Sequence, residues 1–155
     1  MYSKILVPVD GSATSNSGLA EAIRLAGLTG GTLGLLHVID MMPLSYAPEV
    51  GMAGSPTLFD VLSDAGKEIL AGAQSAATKA GVRSETRLID NLAGRVCDLV
   101  IDEAGRWGAD VIVIGSHGRR GVGRALLGSD AEQIARMSSV PVLIVHARGR
   151  AAHAG

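Results

Sequence analysis

Residues 109–114 read ADVIVI, and residues 115–129, which follow them, read GSHGRRGVGRALLGS. The first stretch is the most apolar run of strand length in the chain, which is typical of a strand buried on both faces. The second stretch brings five glycines and three arginines between that strand and a segment of helical period over about 129–137. A buried strand that leads through a turn into a helix is the repeating unit of α/β proteins, so this passage decides the fold class.

Outward from this passage, apolar runs of strand length alternate with segments of helical period. The alternation predicts strands over 5–9, 32–39, 82–89, 109–114 and 141–145, with a helix in each interval. The charged residues within 82–89 indicate an edge strand. The sequence therefore predicts an α/β fold, a single doubly wound domain with a five-stranded parallel sheet and helices on both faces. A long second helix, ended by Gly81, is predicted from the spacing of Leu58, Val61, Leu62, Ala65, Ile69, Ala73, Ala76 and Ala80.

Composition and charge exclude several classes of protein. The 155 residues are 47% hydrophobic and 19% charged, as in one globular domain. A net charge of -1 and a pI of about 6.4 give no reason to expect nucleic acid or an anionic membrane as a partner. We find neither a targeting segment nor the roughly 20 apolar residues of a membrane-spanning helix. The one cysteine, Cys97, is expected to pack in the core of a cytoplasmic protein, since it cannot form an internal disulfide.

Two stretches lie where an open α/β sheet binds its ligands, just beyond the carboxyl ends of strands. They are residues 10–12, which read DGS, and the glycine-rich residues 115–129. Backbone N–H groups without a neighbouring Cβ, backed by a helix N-terminus, are what a phosphate group requires. The spacing is equally consistent with a flexible connection. Ser129 and Glu132 also match a capping box, which would satisfy the helix without any ligand.

Other kinds of site have weaker sequence support. The P-loop pattern is missing, and residues 121–126 (GVGRAL) only begin like a dinucleotide fingerprint. No His, Cys and Asp cluster has the spacing of a metal site built by protein alone. Ser12 or Ser116 could form a hydrolase triad with His117 and Asp10, but the strand–turn–helix elbow of such enzymes is missing. His117 is therefore either a ligand contact or an ordinary loop residue.

The glycine spacing carries a family resemblance. Gly115-x2-Gly118-x9-Gly128-Ser129 resembles the G-2x-G-9x-G-[ST] motif of the ATP-binding branch of the universal stress protein family. The likeness extends over about residues 2–146 through KILVPVDGS, LLHVID, GADVIVIGSHGRRG, LLGS and PVLIV. It implies the sheet order 3-2-1-4-5, one nucleotide-binding domain over 1–146, and a tail over 147–155 that we expect to be disordered. We expect residues 40–56 to form a long loop.

The resemblance also implies how ATP would be held. Pro8, Val9 and Asp10 match the turn that approaches adenine and holds ribose, and Val38 matches an apolar wall of the base. Gly115 matches a backbone contact on the ribose side. The triphosphate cradle is implied to include Gly118, Gly128 and Ser129, with Ser129 serving a phosphate-bound Mg²⁺. The remaining candidate contacts from the same stretch are His117, Arg119 and Asp130.

The function implied is that of an ATP-binding stress-response protein, a nucleotide-dependent sensor or adaptor with little or slow hydrolysis. The last strand, Val142–Val145, is apolar on both faces at a sheet edge, which agrees with the homodimer that the resemblance implies. Two alternatives stay open: a homodimeric interaction module that binds no nucleotide, and a small-molecule or nucleotide hydrolase that uses the same crevice. Asp130 differs from the ATP-binding proteins of this family, which often have a small or apolar residue at this position. If the Asp130 side chain points to solvent, its charge weakens phosphate binding by about 0.3–1 kcal/mol. If it points inward, it would weaken ATP binding badly.

Overall fold

The computed structural model describes residues 1–41, 57–91, 94–117 and 127–147. Within them, five parallel strands form one sheet in the order β3-β2-β1-β4-β5, which confirms the predicted fold class and strand order. The strand ends agree with the sequence prediction to within two residues. The strands are β1 (Lys4–Pro8), β2 (Thr32–Asp40), β3 (Arg83–Asn91), β4 (Val111–Gly115) and β5 (Val142–Val145).

Helices cover both faces of the sheet and divide the core into two layers. The helices are α1 (Ala13–Thr29), α2 (Leu58–Lys79), α3 (Val96–Trp107) and α4 (Ser129–Met137). Helices α1 and α2 pack on one face, against side chains that include Ile5, Leu33 and Val111. Helices α3 and α4 pack on the other face, against Leu6 and Ile112 among others. None of the helices in the described part of the chain has an apolar stretch long enough to cross a bilayer.

The winding direction of the sheet reverses between β1 and β4. From β1 the chain moves outward through β2 to the edge strand β3, then crosses back to β4 and ends the sheet at β5. β1 pairs with β4 through Ile5↔Val111 and Leu6↔Ile112, so the two strands end side by side. The crevice beyond their carboxyl ends is where ligands bind in doubly wound folds.

The predicted second helix is confirmed, but only part of its apolar series is buried. Leu58 and Val61 are 46% and 50% exposed, and the buried positions are Gly66, Leu70, Ala73 and Ala77. Gly66 faces the sheet, because a Cβ there would lie 2.7 Å from Cδ2 of His37 on β2. Apolar periodicity alone did not indicate that a glycine lies on the buried face.

Candidate functional site

A cavity of about 510 Å³ lies at the carboxyl edge of the sheet, at the switch point between β1 and β4. Its walls come from the ends of β1, β2 and β4 and from α1, α2, α3 and α4. Apolar side chains that the sequence analysis did not single out for a site, such as Leu62, Val100 and Ile134, complete it. Gly118 and Arg119 lie outside the described residues. The other nine predicted site residues all line this cavity: Pro8, Val9, Asp10, Val38, Gly115, His117, Gly128, Ser129 and Asp130.

The turn after β1 fixes the carboxylate of Asp10. Asp10 Oδ1 accepts the N–H of Ser12 at 2.8 Å, and the Asp10 N–H donates to Ser15 Oγ at 3.1 Å. Ser12 in turn caps α1 by accepting the N–H of Ser15 at 3.2 Å. Gly11 between them has φ 79°, a conformation that favours glycine. The local sequence DGS therefore both starts α1 and holds an oriented carboxylate at the cavity wall.

The backbone of Val9 is engaged within the chain. Its N–H donates to the Leu36 carbonyl at 2.8 Å, and its carbonyl lies 2.7 Å from His37 Nδ1. Because a carbonyl oxygen can only accept, the His37 ring carries its proton on Nδ1. His37 is therefore a structural histidine satisfied by backbone, and the Val9 N–H is not available to a ligand.

Gly115 ends β4 directly beneath the first turn of α1. A Cβ at Gly115 would lie 2.5 Å from the Thr14 carbonyl oxygen and 2.8 Å from the Ser15 nitrogen. The approach is close from the helix side too, since a Cβ at Gly18 would lie 3.0 Å from the Gly115 nitrogen. Two glycines far apart in sequence thus let backbone meet backbone at the floor of the cavity.

His117 leaves one ring nitrogen without a partner. Ser116, which donates its N–H to the Val145 carbonyl at 2.8 Å, places its Oγ 2.9 Å from His117 Nδ1. The hydroxyl of Thr14 donates to the carbonyl of His117. Within the described part of the chain, His117 Nε2 is buried and has no hydrogen-bond partner. An unsatisfied buried polar atom costs about 1–3 kcal/mol, so a ligand group that meets Nε2 would recover that cost.

Helix α4 begins without a side-chain cap. Its N-cap is Gly128, so the predicted capping box between Ser129 and Glu132 is wrong. The Gly128 N–H donates to the Ser116 carbonyl at 2.7 Å, which holds Gly128 extended and starts the helix at the next residue. The Glu132 carboxylate pairs instead with Arg136, at 2.9 Å. The first-turn residues Ser129, Asp130 and Ala131 line the cavity, and a helix does not satisfy the N–H groups of its first turn internally.

The charge of the described cavity wall is negative. Its charged side chains are Asp10, Asp40 and Asp130, and the described lining residues include no lysine or arginine. Cys97 is buried at the start of α3. The pKa of its thiol is raised by burial and further by the neighbouring carboxylates of Asp98 and Asp130. In the described residues, no group of three or more His, Cys, Asp or Glu side chains is arranged to hold a metal ion.

The sequence profile of the universal stress protein family matches residues 1–146. A universal stress protein of Methanocaldococcus jannaschii is 30% identical over 145 residues, which are 94% of this chain and 82% of that protein. YxiE, a universal stress protein of Bacillus subtilis, is 31% identical over 150 residues, or 94% of this chain and 99% of that protein. The chain therefore belongs to the universal stress protein family.

Solved structures of similar proteins share the fold. The protein MJ0577 of Methanocaldococcus jannaschii has a TM-score of 0.80 at 28% identity, over 96% of this chain and 99% of that chain. A universal stress protein in complex with cAMP has a TM-score of 0.69 at 27% identity, over 94% of this chain and 98% of that chain. One from Archaeoglobus fulgidus in complex with dAMP has a TM-score of 0.64 at 25% identity, over 93% and 98% of the two chains.

Proposed function

We propose that this protein binds an adenine nucleotide in the switch-point cavity and acts as a nucleotide-dependent sensor or adaptor in stress survival. The observation that carries the proposal is the gathering of nine predicted site residues, from separate parts of the sequence, around one cavity. Similar proteins in complex with cAMP and dAMP support the nucleotide class. ATP is the nucleotide that the glycine spacing favours, with Mg²⁺ on its phosphates.

The proposed contacts follow from the chemical groups on each wall of the cavity. The base would lie against Val38, the ribose hydroxyls would donate to the Asp10 carboxylate, and the phosphates would accept from the first-turn N–H groups of α4. The hydroxyl of Ser129 would serve the metal, which neutralises phosphate charge when bound. His117 Nε2 would gain the partner that it lacks. Gly115 would present backbone without a side chain to the ligand.

The cavity chemistry favours binding over turnover. Among the described cavity residues, His117 offers an unpartnered ring nitrogen, but that nitrogen is buried and its ring is held by Ser116. General-base catalysis needs a group that reaches the attacking water. We therefore expect hydrolysis to be slow, with the protein acting as a binder in the cytoplasm.

We also propose a homodimer through β5, Val142–Val145. This strand is at the edge of the described sheet, and its Leu143 is 40% exposed. Met137, at the end of the preceding helix, is 47% exposed. An apolar edge strand is a pairing surface unless it is covered, which supports a second copy of this strand as its partner. The same edge favours the second candidate function, a dimeric interaction module that needs no nucleotide.

Calorimetry on protein freed of carried-over nucleotide tests the proposal. We expect AMP and Mg·ATP to release heat with dissociation constants in the micromolar range, equivalent to about 8 kcal/mol. Gly128→Val should abolish this heat with the circular dichroism spectrum unchanged. The matched control is Gly27→Val on α1, where nothing lies within 4 Å of an added Cβ, and it should bind as the parent does.

The outcomes separate the candidate functions. No heat with either nucleotide up to millimolar concentration would refute the binder and leave the interaction module. Rapid release of ADP or AMP from ATP would instead favour the hydrolase. Unchanged affinity in Gly128→Val would refute the assignment of the phosphates to the N-terminus of α4.

A further inference from the structure

We infer that His37 recognises the base of the bound nucleotide, with its Nε2 accepting a hydrogen bond from the 6-amino group of adenine. The inference rests on the proposed function and deepens it. It names the group that makes the site prefer adenine over a base with hydrogen or oxygen at position 6. His37 is then a specificity-determining residue, in addition to its structural hydrogen bond with Val9.

The hydrogen bond to Val9 fixes the chemistry of the His37 ring. His37 is 9% exposed, and its Nδ1 lies 2.7 Å from the Val9 carbonyl oxygen. Since that oxygen can only accept, Nδ1 carries the proton, and the neutral ring has a lone pair on Nε2. Nε2 is therefore a hydrogen-bond acceptor held in one orientation. It suits a ligand group that donates, and it repels an oxygen that can only accept.

This acceptor is unused within the described part of the chain. Among the described residues, His37 makes no hydrogen bond other than the one to Val9. The side-chain polar atoms there that are fully buried and unpartnered are Asn91 Oδ1 and His117 Nε2, so Nε2 of His37 retains accessible surface. The space that His37 lines is the switch-point cavity. A ligand in the cavity can therefore reach this nitrogen.

Gly66 on α2 preserves the space beside this edge of the ring. A Cβ at position 66 would lie 2.7 Å from His37 Cδ2 and 3.2 Å from His37 Nε2. The neighbouring α2 side chains that line the cavity are all apolar, namely Leu62, Ala65 and Ile69. In such surroundings a hydrogen bond is stronger than in water, and an acceptor left unpaired by the ligand is costly.

His37 also lies where the family motif places the base. It is bonded to Val9 and directly precedes Val38, the two residues that the motif implies beside adenine. β1 pairs with β2 as far as Pro8↔Leu36, and β2 continues beyond that pair, so its end borders the crevice. Neighbouring side chains of a strand point to opposite faces, and the cavity has walls from helices on both faces. A base in the crevice can thus contact Val38 on one side and His37 on the other.

The test compares three nucleotides that differ at position 6 of the base. AMP has an amino group there, purine riboside 5′-monophosphate has a hydrogen, and IMP has an oxygen. Dissociation constants are measured by calorimetry on nucleotide-free protein at pH 8, which keeps the imidazole neutral. We expect the parent to bind AMP at least about tenfold more tightly than the purine analogue, which leaves Nε2 unpaired. IMP should bind more weakly still, because its oxygen faces the Nε2 lone pair.

Two variants separate recognition of the base from a merely structural role. His37→Asn keeps an N–H near the position of Nδ1 for the Val9 carbonyl and removes the Nε2 acceptor. Its preference for AMP over the purine analogue should fall to within about threefold. Leu35→Val is the matched control, since Leu35 is fully buried on the same face of β2 and does not line the cavity. It should lower the stability and leave the preference unchanged.

Two results overturn the inference. If the parent binds AMP and the purine analogue equally, the 6-amino group is not recognised, and this result needs no variant. If His37→Asn, shown to be folded by circular dichroism, retains the preference, or if Leu35→Val loses it equally, then His37 does not recognise the base. In both cases the protein still binds nucleotides. If neither the three monophosphates nor Mg·ATP bind the parent protein, the proposed function itself fails.

Discussion

Adding a single methyl group at Gly115 is expected to destabilise the domain. In Gly115→Ala the new Cβ would lie 2.5 Å from the Thr14 carbonyl oxygen, 2.6 Å from its carbon and 2.8 Å from the Ser15 nitrogen. All three atoms are backbone, so no side-chain rotation can relieve the contact. To reach ordinary van der Waals contact, the first turn of α1 must move by about 1 Å from the end of β4.

The expected loss of stability in Gly115→Ala follows from the cost of overpacking in other proteins. Forcing extra methyl groups into a packed site typically costs about 1–3 kcal/mol. For a chain of this length, each kcal/mol lowers the unfolding midpoint by about 2–4 °C. We therefore expect Gly115→Ala to lower Tm by about 2–12 °C and to weaken nucleotide binding, because the cavity floor moves with α1.

A matched glycine-to-alanine control is expected to change the stability in the opposite direction. Gly105 is an exposed residue inside α3 with nothing within 4 Å of an added Cβ, so Gly105→Ala should stabilise the domain by about 0.5–1 kcal/mol. Urea denaturation followed by circular dichroism measures both variants against the parent. A Gly115→Ala protein as stable as the parent would refute the contact between α1 and β4, and with it our explanation of why position 115 is glycine.

Two further predictions concern titratable groups outside the cavity. Asp110 Oδ2 accepts the N–H groups of Lys4 at 2.9 Å and Ser3 at 2.7 Å, and these hydrogen bonds lower its pKa. The stabilisation of the folded protein by Asp110 is fully present above the carboxyl pKa of the unfolded chain, about 3.9. It is lost as the pH falls through the lower pKa of the folded protein. Asp110→Asn should therefore be less stable than the parent in urea at neutral pH, with the gap closing in acid; a constant gap would contradict this. Burial raises the pKa of the Cys97 thiol, so we expect an aromatic disulfide reagent to modify Cys97 slowly in the native protein and rapidly in urea; equal rates would show that the thiol is accessible.

The sequence predicted the elements and the location of the site because both have local signals. Apolar runs indicated every strand, and the helix of residues 129–137 was predicted with the bounds that the structure has. The turn residues after β1 and β4 indicated the cavity, because parallel strands end at one edge of the sheet. These signals need only a few neighbouring residues.

Contacts between distant segments had no such signal. Gly34 on β2 accommodates the ring of Trp107, since a Cβ there would lie 2.7 Å from it, and nothing in the surrounding apolar run predicts this. The same ring has Arg87 at 5.0 Å and Lys4 at 5.4 Å from its centroid, from two other strands. The capping box predicted for α4 was wrong for a related reason, because the N-cap is Gly128, whose N–H is donated to the distant Ser116.

Which hydrogen bonds are already made decides what a nucleotide can use. The sequence does not show which backbone N–H groups are already used, but the structure shows that the Val9 N–H is donated to Leu36 and the Gly128 N–H to Ser116. Because no side chain caps α4, our proposal places the phosphate oxygens at the first turn of this helix. Recognition that depends on one turn must be sensitive to the charge of that turn.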